Sequence, residues 1–468
     1  MQKEKSFFSR IHSQGGAVMI YLIIVIFVFM MIMLPVVSVL AGKLKLLRTA
    51  IEREAAIQIA EAGINYYQWH LSHFPSDYTD GTGQPGPYLH DYIDKDTQNN
   101  VGRFSLLIVP PQIGSTITTV TSTGWTNFNP NITRSITARF GVPSFTQYAF
   151  LSNDIMWIGE DEEISGKLHS NNGIRFDGIG NAPIASAKLT YTCPSSQGSP
   201  CPAVKDGVWG SAPQYVQSFW KFPVPAVDFS SLTSDLAAIK SLAQSGGFYL
   251  PPSSEQGYSL VFNADGTFSA YKVTKLQGTP TGWDVNGLAH NEDTDYKNRS
   301  LQFTSALPAN GVIYVEDKTW VEGTVRGRVT VVAAKLPYDP SSAPTIYIPN
   351  NIIYSAKDGA DVLGLISQKD VVVTFRAPDV LEINAAIISQ NGSAQAFYYP
   401  STIKESITIF GSLMTFGQWT WSWVNPGGQI ISGHKNTYHI YDANLLYGPP
   451  PSFPLSASGY EILDWVSN

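Results

Sequence analysis

The chain has 468 residues, of which 39 are Gly and 30 are Pro, and only 14% are charged. That composition suits short strands parted by many turns better than a helical enzyme. The formal net charge of −7 argues against a nucleic-acid surface, where a basic stripe would be expected, so no nucleic-acid partner is expected.

A short basic segment comes first. Lys3, Lys5 and Arg10, opposed only by Glu4, lead to Gly15 and Gly16, and from Ala17 to residue 41 no charged residue occurs. At about 1.5 Å rise per residue this run makes about 37 Å of helix, enough to cross a hydrocarbon core of about 30 Å. The apolar core of a secretory signal is normally about 7–15 residues long and ends at a small-x-small cleavage site, so a spanning helix is expected instead. The positive-inside rule puts the N-terminus in the cytoplasm and the large C-terminal part outside. Lys43, Lys45 and Arg48 on the far side weaken that bias, and the orientation leans also on the two cysteines and on the size of the C-terminal part.

The helix continues past the membrane. Leu44, Leu47, Ile51, Ala55, Ile59, Ala62, Tyr66 and Trp69 recur at helical spacing, while Lys45, Arg48, Glu52, Arg53 and Glu54 fall mostly on other faces. One helix over about 17–71 is predicted, with Pro35 kinking or loosening its membrane half. Bulky residues crowd the span, so no small-residue dimer seam is evident.

The segment Gln14-Gly15-Gly16-Ala17-Val18, the Pro in the long apolar helix, Ala60-Glu61-Ala62-Gly63 in its extension and the β-rich remainder together resemble a type IV pilin-like protein, in particular the PilX-type minor pilins. The resemblance implies that a prepilin peptidase cuts between Gly16 and Ala17 and methylates the new terminus. It divides the chain into a leader (1–16), a transmembrane and amphipathic helix (17–72), a pilin-like β region (73–146) and a large body (147–468). Major pilins carry Glu at the fifth mature position, thought to neutralise a neighbour's terminal amine inside the apolar fibre, where an unpaired charge is costly. Tyr21 stands there instead. PilX-type proteins and the large tip pseudopilin of type II secretion also lack that Glu, so a minor, priming or tip subunit is implied. The competing reading is an uncleaved signal anchor with fortuitous glycines.

Residues 76–87 form a Gly-, Pro- and Asp-rich boundary. Strand candidates at 104–109, 113–123 and 133–140 alternate polar and apolar residues and suit a small antiparallel sheet on the exposed half of the helix. From about residue 147 five stretches share an apolar–small–apolar pattern centred on Gly166, Gly323, Gly364, Ala385 and Gly411. The last three lie about 20–26 residues apart, a spacing of stacked solenoid coils. The expected fold is mainly β with a long N-terminal α-helix: a single-pass transmembrane helix, a small antiparallel sheet, then an irregular right-handed parallel β-helix. In each coil the small residue and its apolar neighbours would point inward. An insertion at about 188–300 is expected to interrupt the solenoid and to carry a helix near 231–244. It also carries both cysteines, Cys193 and Cys201. They would form a disulfide in an oxidising compartment, the alternative being two free thiols.

No catalytic, cofactor-binding or metal-binding residue is assigned. Glu160, Asp161, Glu162 and Glu163 read as a solvated turn rather than a paired-carboxylate site. His169 beside Ser170, Asn171 and Asn172 reads as a polar-capped turn rather than a Ser–His pair. Asp293, Asp295 and Asn298 lack the Gly and distal Glu of a calcium loop, and Gly323, Arg326, Gly327 and Arg328 make no phosphate loop. Trp419, Trp421 and Trp423 occupy alternate positions. Either they seal the end of the solenoid, or they form an exposed platform for a surface, a sugar or another pilin.

The function expected is a non-enzymatic minor (priming or tip) pilin-like subunit of a type IV pilus or related type II secretion filament. Its partners would be the inner membrane, the prepilin peptidase, other pilins or pseudopilins and surface carbohydrate, and it would move from the inner membrane to the cell surface. The alternatives are a membrane-anchored adhesin that never polymerises and a β-helix polysaccharide lyase or hydrolase.

Overall fold

The computed structural model describes residues 14–112, 114–229, 236–291, 293–425, 428–456 and 459–467, with backbone alone at 14–17. Residues 1–13 of the expected leader and 231–235 of the expected helix lie outside them. The chain divides into two units. The smaller takes the residues through Pro110, Thr118–Phe140 and the C-terminus from Ile462, and the larger takes Pro111–Ile117 and Gly141–Glu461.

In the smaller unit a helix, α1 (Gln14–His73), runs unbroken through Pro35. It stops where Pro75 follows Phe74, because the residue before a proline is pushed out of the helical region. A sheet with the order β1 (Tyr88–Ile93), β2 (Asn100–Val109), β3 (Ile117–Thr126), β4 (Arg134–Gly141) and a C-terminal strand Glu461–Ser467 belongs to the same unit. β1–β2 and β2–β3 are antiparallel. β3 and β4 meet through Thr121–Thr137 and Thr123–Ser135 hydroxyl pairs at 3.0 and 2.8 Å, a register that runs in opposite directions. Alternate residues of β3 from Thr118 to Thr126 are buried, as a one-sided sheet requires.

The face that α1 buries is Ala56, Ile59, Ala60, Gly63, Ile64, Tyr67, His70 and Leu71. This row is rotated from the expected one, which leaves Ile51 65% and Trp69 54% exposed. The reason is the size of the residues. A Cβ added at Gly124 would lie 2.5 Å from both the Ala56 oxygen and the Ala60 nitrogen, and one at Gly63 would lie 2.2 Å from Ser122 Oγ. The row of Ala and Gly admits the sheet, whereas the bulkier row would hold it away. Beyond the helix Asp77 accepts bonds from Thr79 N (2.8 Å), Thr79 Oγ1 (2.7 Å) and Gly81 N (2.6 Å), and lies 3.0 Å from His70 Nε2. The hydrogen bonds from Thr79 pull the Asp77 carboxyl down to about 2.

The larger unit is a parallel β solenoid whose coils have three faces. The first face is one continuous ladder. It runs Phe248–Leu250, Val312–Val315, Arg328–Ala333, Val362–Ser367, the second half of Val380–Ser389 and the end of Ile403–Thr415, then Phe150–Ser152, Leu168–Ser170, Ile184–Ser186 and Trp220–Lys221. The first coil in the chain therefore stacks on the last. Between Lys221 and Phe248 the chain must return along the whole ladder, about 43 Å at roughly 4.8 Å per strand. On the way Val227 and Phe229, and Ile239 and Ala243 of the helix Leu236–Gly246, cover the outer side of this face with Leu445 and Phe453.

Two expectations change here. The stretch at 188–300 does not simply interrupt the solenoid. Trp220–Lys221 and Phe248–Leu250 are its terminal rungs, and Tyr258–Phe262 pairs in parallel with Thr319–Val325. What departs from the ladder is the cysteine loop and an antiparallel arm, Thr267–Gln277 with Asp295–Ala306. Nor do all small residues of the repeat point inward on a flat strand. Gly323 and Gly411 sit at corners with φ of 110° and 145°, where an added Cβ would come within 2.2 Å of Phe262 O and 2.1 Å of Ala385 O in the adjoining coil. Gly364 is out of phase: Leu363 and Leu365 enter the core while Val362 and Ile366 face outward.

Candidate functional site

Two features stand apart from an ordinary folded core. The first is the N-terminal half of α1. From Val18 to Leu40 its large apolar side chains are all exposed, as are Leu44, Leu47 and Ile51. By length and composition it can cross a membrane, with a mean hydropathy of 3.1 over its most apolar stretch. A helix suits such a segment because every backbone donor and acceptor is satisfied within it. Gly16 and Ala17 lie in the first helical turns, and Tyr21 is 69% exposed.

The second is a cleft in the solenoid. On its third face the ladder runs Ile346–Ile348, Val371–Val373, Ala394–Ala396 and Trp419–Thr420, then stops. Across the gap Met156–Ile158, Ile174–Phe176 and Val208–Trp209 form a separate parallel sheet. The other two faces are closed at the same level, Leu413–Thr415 pairing with Phe150–Ser152 and Thr437–Ile440 with Glu162–Ser165. A cavity of about 620 Å³ fills the gap, lined by residues of both edges, by Trp423 and by the turn that holds Glu160, Asp161 and Glu162.

The wall on the Trp157 side is rigidly built. The Arg175 guanidinium stacks 4.5 Å from the Trp157 ring and 5.1 Å from that of Trp209, and Arg175 Nε donates to Asp177 Oδ2 at 2.7 Å. Trp157 Nε1 donates to the same oxygen at 2.9 Å, and Ser211 fills the other through N (2.8 Å) and Oγ (2.9 Å). Cys193 and Cys201 form a disulfide with a Cα separation of 5.6 Å. Within the loop it closes, Gln197 donates to Met156 O at 2.8 Å and accepts from Tyr191 at 2.7 Å, so the loop buttresses that edge.

The three tryptophans do not form an exposed row. Trp421 is fully buried, Trp419 is 8% exposed, and both belong to the solenoid core. Their rings meet edge to face at 6.5 Å. Trp423 alone is half-exposed, its indole donating to Ala396 O at 2.8 Å. Trp419 lines the cleft, but its Nε1 is buried away from the open space and finds no partner among the described residues.

Of the acids, Glu160 and Asp161 are exposed. Glu162 accepts from Gly159 N at 2.8 Å, and burial pushes its carboxyl up to about 8. His169 pairs with no hydroxyl nucleophile: its Nε2 lies 3.0 Å from Asn171 Oδ1, while Ser170 Oγ donates to Asp154 O at 2.7 Å. Asn171 clamps the returning segment, accepting from Val227 N at 2.8 Å and donating to Val227 O at 2.7 Å. Asp293 accepts from Thr279 N at 2.7 Å, and Asp295 faces Arg376 at 3.6 Å. Arg328 donates to the carbonyls of Gly359, Gly114, Gly448 and Pro449. Neither Trp157 nor the broken ladder is signalled by the sequence pattern, because the gap arises from the order in which coils stack.

No known family profile matches the chain, and no curated protein matches its sequence. Among solved structures it is similar to the competence-associated pilin ComZ from Thermus thermophilus, with 12% identity and a TM-score of 0.32, covering 89% of this chain and 97% of that one. It is also similar to an ice-binding protein from the Antarctic ascomycete Antarctomyces psychrotrophicus, with 10% identity and a TM-score of 0.28, covering 64% and 98%. Likenesses at these TM-scores carry no argument about activity.

Proposed function

We propose that the chain is a non-enzymatic, membrane-stored pilin-like subunit that primes or tips a type IV pilus or related type II secretion filament. The observation that carries this reading is the division of α1. Its first half leaves a long apolar surface bare, while its second half is packed beneath a small antiparallel sheet. A bare apolar helix is stable in lipid or in a bundle of like helices, and a filament subunit occupies each in turn. Cleavage between Gly16 and Ala17 by a prepilin peptidase would release it for assembly, with the solenoid as the extracytoplasmic part presented at the cell surface. Tyr21, in place of a carboxylate that could neutralise a neighbour's terminus, supports a place outside the repeating shaft. The test is to shear surface filaments from cells with and without an active prepilin peptidase and to blot for the solenoid. Recovery only with the active peptidase is expected. A chain confined to the membrane fraction in both strains would support the non-polymerising adhesin instead.

A further inference from the structure

The cleft exists because a solenoid that stacks its first coil on its last closes two faces and leaves the third open. Both edges of the gap present aromatic rings fixed in place. Trp157 is held on one side by Arg175 at 4.5 Å and through its own nitrogen by Asp177. Trp423 is pinned to Ala396 O. Rings held this way offer flat apolar faces at little conformational cost.

Charge narrows the class of ligand. Arg175 and Asp177 satisfy each other, which leaves Glu160, Asp161 and Lys435 as the exposed charged residues of the lining. Such a lining gives a polyanion no advantage. Burial pushes the Glu162 carboxyl up to about 8, and in its neutral form it can both donate and accept. The Trp419–Thr420 edge is two residues long, too short for the strand addition by which extended peptides are captured. The volume of about 620 Å³ falls among ligand sites, which span about 300–1,000 Å³.

We propose that this cleft binds an uncharged oligosaccharide, its C–H faces stacked on Trp157 and Trp423 and its hydroxyls bonded to the polar residues of the lining. The assignment holds whether or not the chain polymerises. It is tested on the detergent-solubilised full chain by tryptophan fluorescence and ligand-observed NMR. The probes are cellotetraose and chitotetraose, with tetragalacturonate and an uncharged Thr/Val hexapeptide for comparison.

Saturable binding of at least one neutral tetrasaccharide is expected, weakened about tenfold or more by Trp157→Ala and by Gly159→Trp. The second variant guards against misfolding. A Cβ added at Gly159, which lines the cleft, meets nothing nearer than Glu162 at 4.0 Å, so the substitution is designed to narrow the cleft without crowding the coil at its Cβ. No saturable binding of either neutral probe at millimolar concentration would overturn the proposal. So would tighter binding of tetragalacturonate or the hexapeptide, or undiminished binding in a folded Gly159→Trp protein.

Discussion

Helix α1 and the solenoid use the same side chains to opposite ends. In the first half of α1 every large Val, Ile, Leu and Met is exposed, whereas the solenoid turns Val331, Leu365, Ile387 and Leu413 wholly inward. The difference is one of period and of small residues. The solenoid alternates, and its glycine corners let each coil close on the next. The first half of α1 is apolar all round and has no face to hide. The solenoid is thus complete in itself, while the helix requires lipid or other helices to cover it.

The comparison breaks most visibly on deletion of residues 1–41. The chain is expected to move from the membrane to the soluble fraction with the far-UV signature and melting of the solenoid unchanged. Loss of the solenoid's cooperative transition would mean that the two regions are not independent. The converse change is Trp421→Ala, which empties a fully buried site and is expected to cost about 3–5 kcal/mol in denaturant unfolding while leaving membrane fractionation alone. Next comes the paired change Cys193→Ser and Cys201→Ser. It removes a link across 8 residues and is expected to cost roughly 2–3 kcal/mol, read as a lowered urea midpoint. Gly124→Val would push α1 from the sheet. About 1–3 kcal/mol is expected, measured as faster hydrogen exchange in residues 56–71 with the solenoid amides unmoved.

The smallest effect is a pH dependence confined to the solenoid. His439 stacks 5.3 Å from Phe150 at the seam between last and first coils, and burial pushes its ring from 6.5 down to about 3. The unfolded chain therefore binds the extra proton between those values, and the His439 contribution to stability falls as pH drops through that window and is fully present above about 6.5, whereas Glu162, pushed up to about 8, acts in the opposite sense. His439→Gln is expected to flatten urea midpoints compared at neutral pH and at about pH 5. An unchanged slope would remove His439 as the cause.

How much of this was legible in the sequence differs between the regions. The spanning helix was plain, because an uncharged run of that length has few other uses. Its packing face was not: Leu44, Leu47 and Ile51 look like a buried stripe, and only the Gly63–Ser122 and Gly124–Ala56 approaches show that small residues choose the side. The solenoid's parallel character was legible from spaced apolar–small–apolar stretches, although Val362–Ile366 sits on a different face from Ile383 and Ile409. The stacking of Phe150–Ser152 on Leu413–Thr415 was illegible. Residues so distant in sequence meet only because the chain returns along the first face, and no local pattern records that. The cleft follows from this stacking and was hidden with it. The alternate spacing of Trp419, Trp421 and Trp423 marks this stretch, yet Trp419 and Trp421 are core residues and Trp423 alone of the three brings a half-exposed ring to the cleft, while no sequence pattern marks Trp157.

The central claim is that the bare half of α1 is a processed filament segment, and the mass of the mature N-terminus tests it most directly. The chain purified from the membranes of cells with an active prepilin peptidase is expected to begin with N-methylated Ala17, the residue after Gly16. An intact chain still carrying Met1 in those cells would contradict the account.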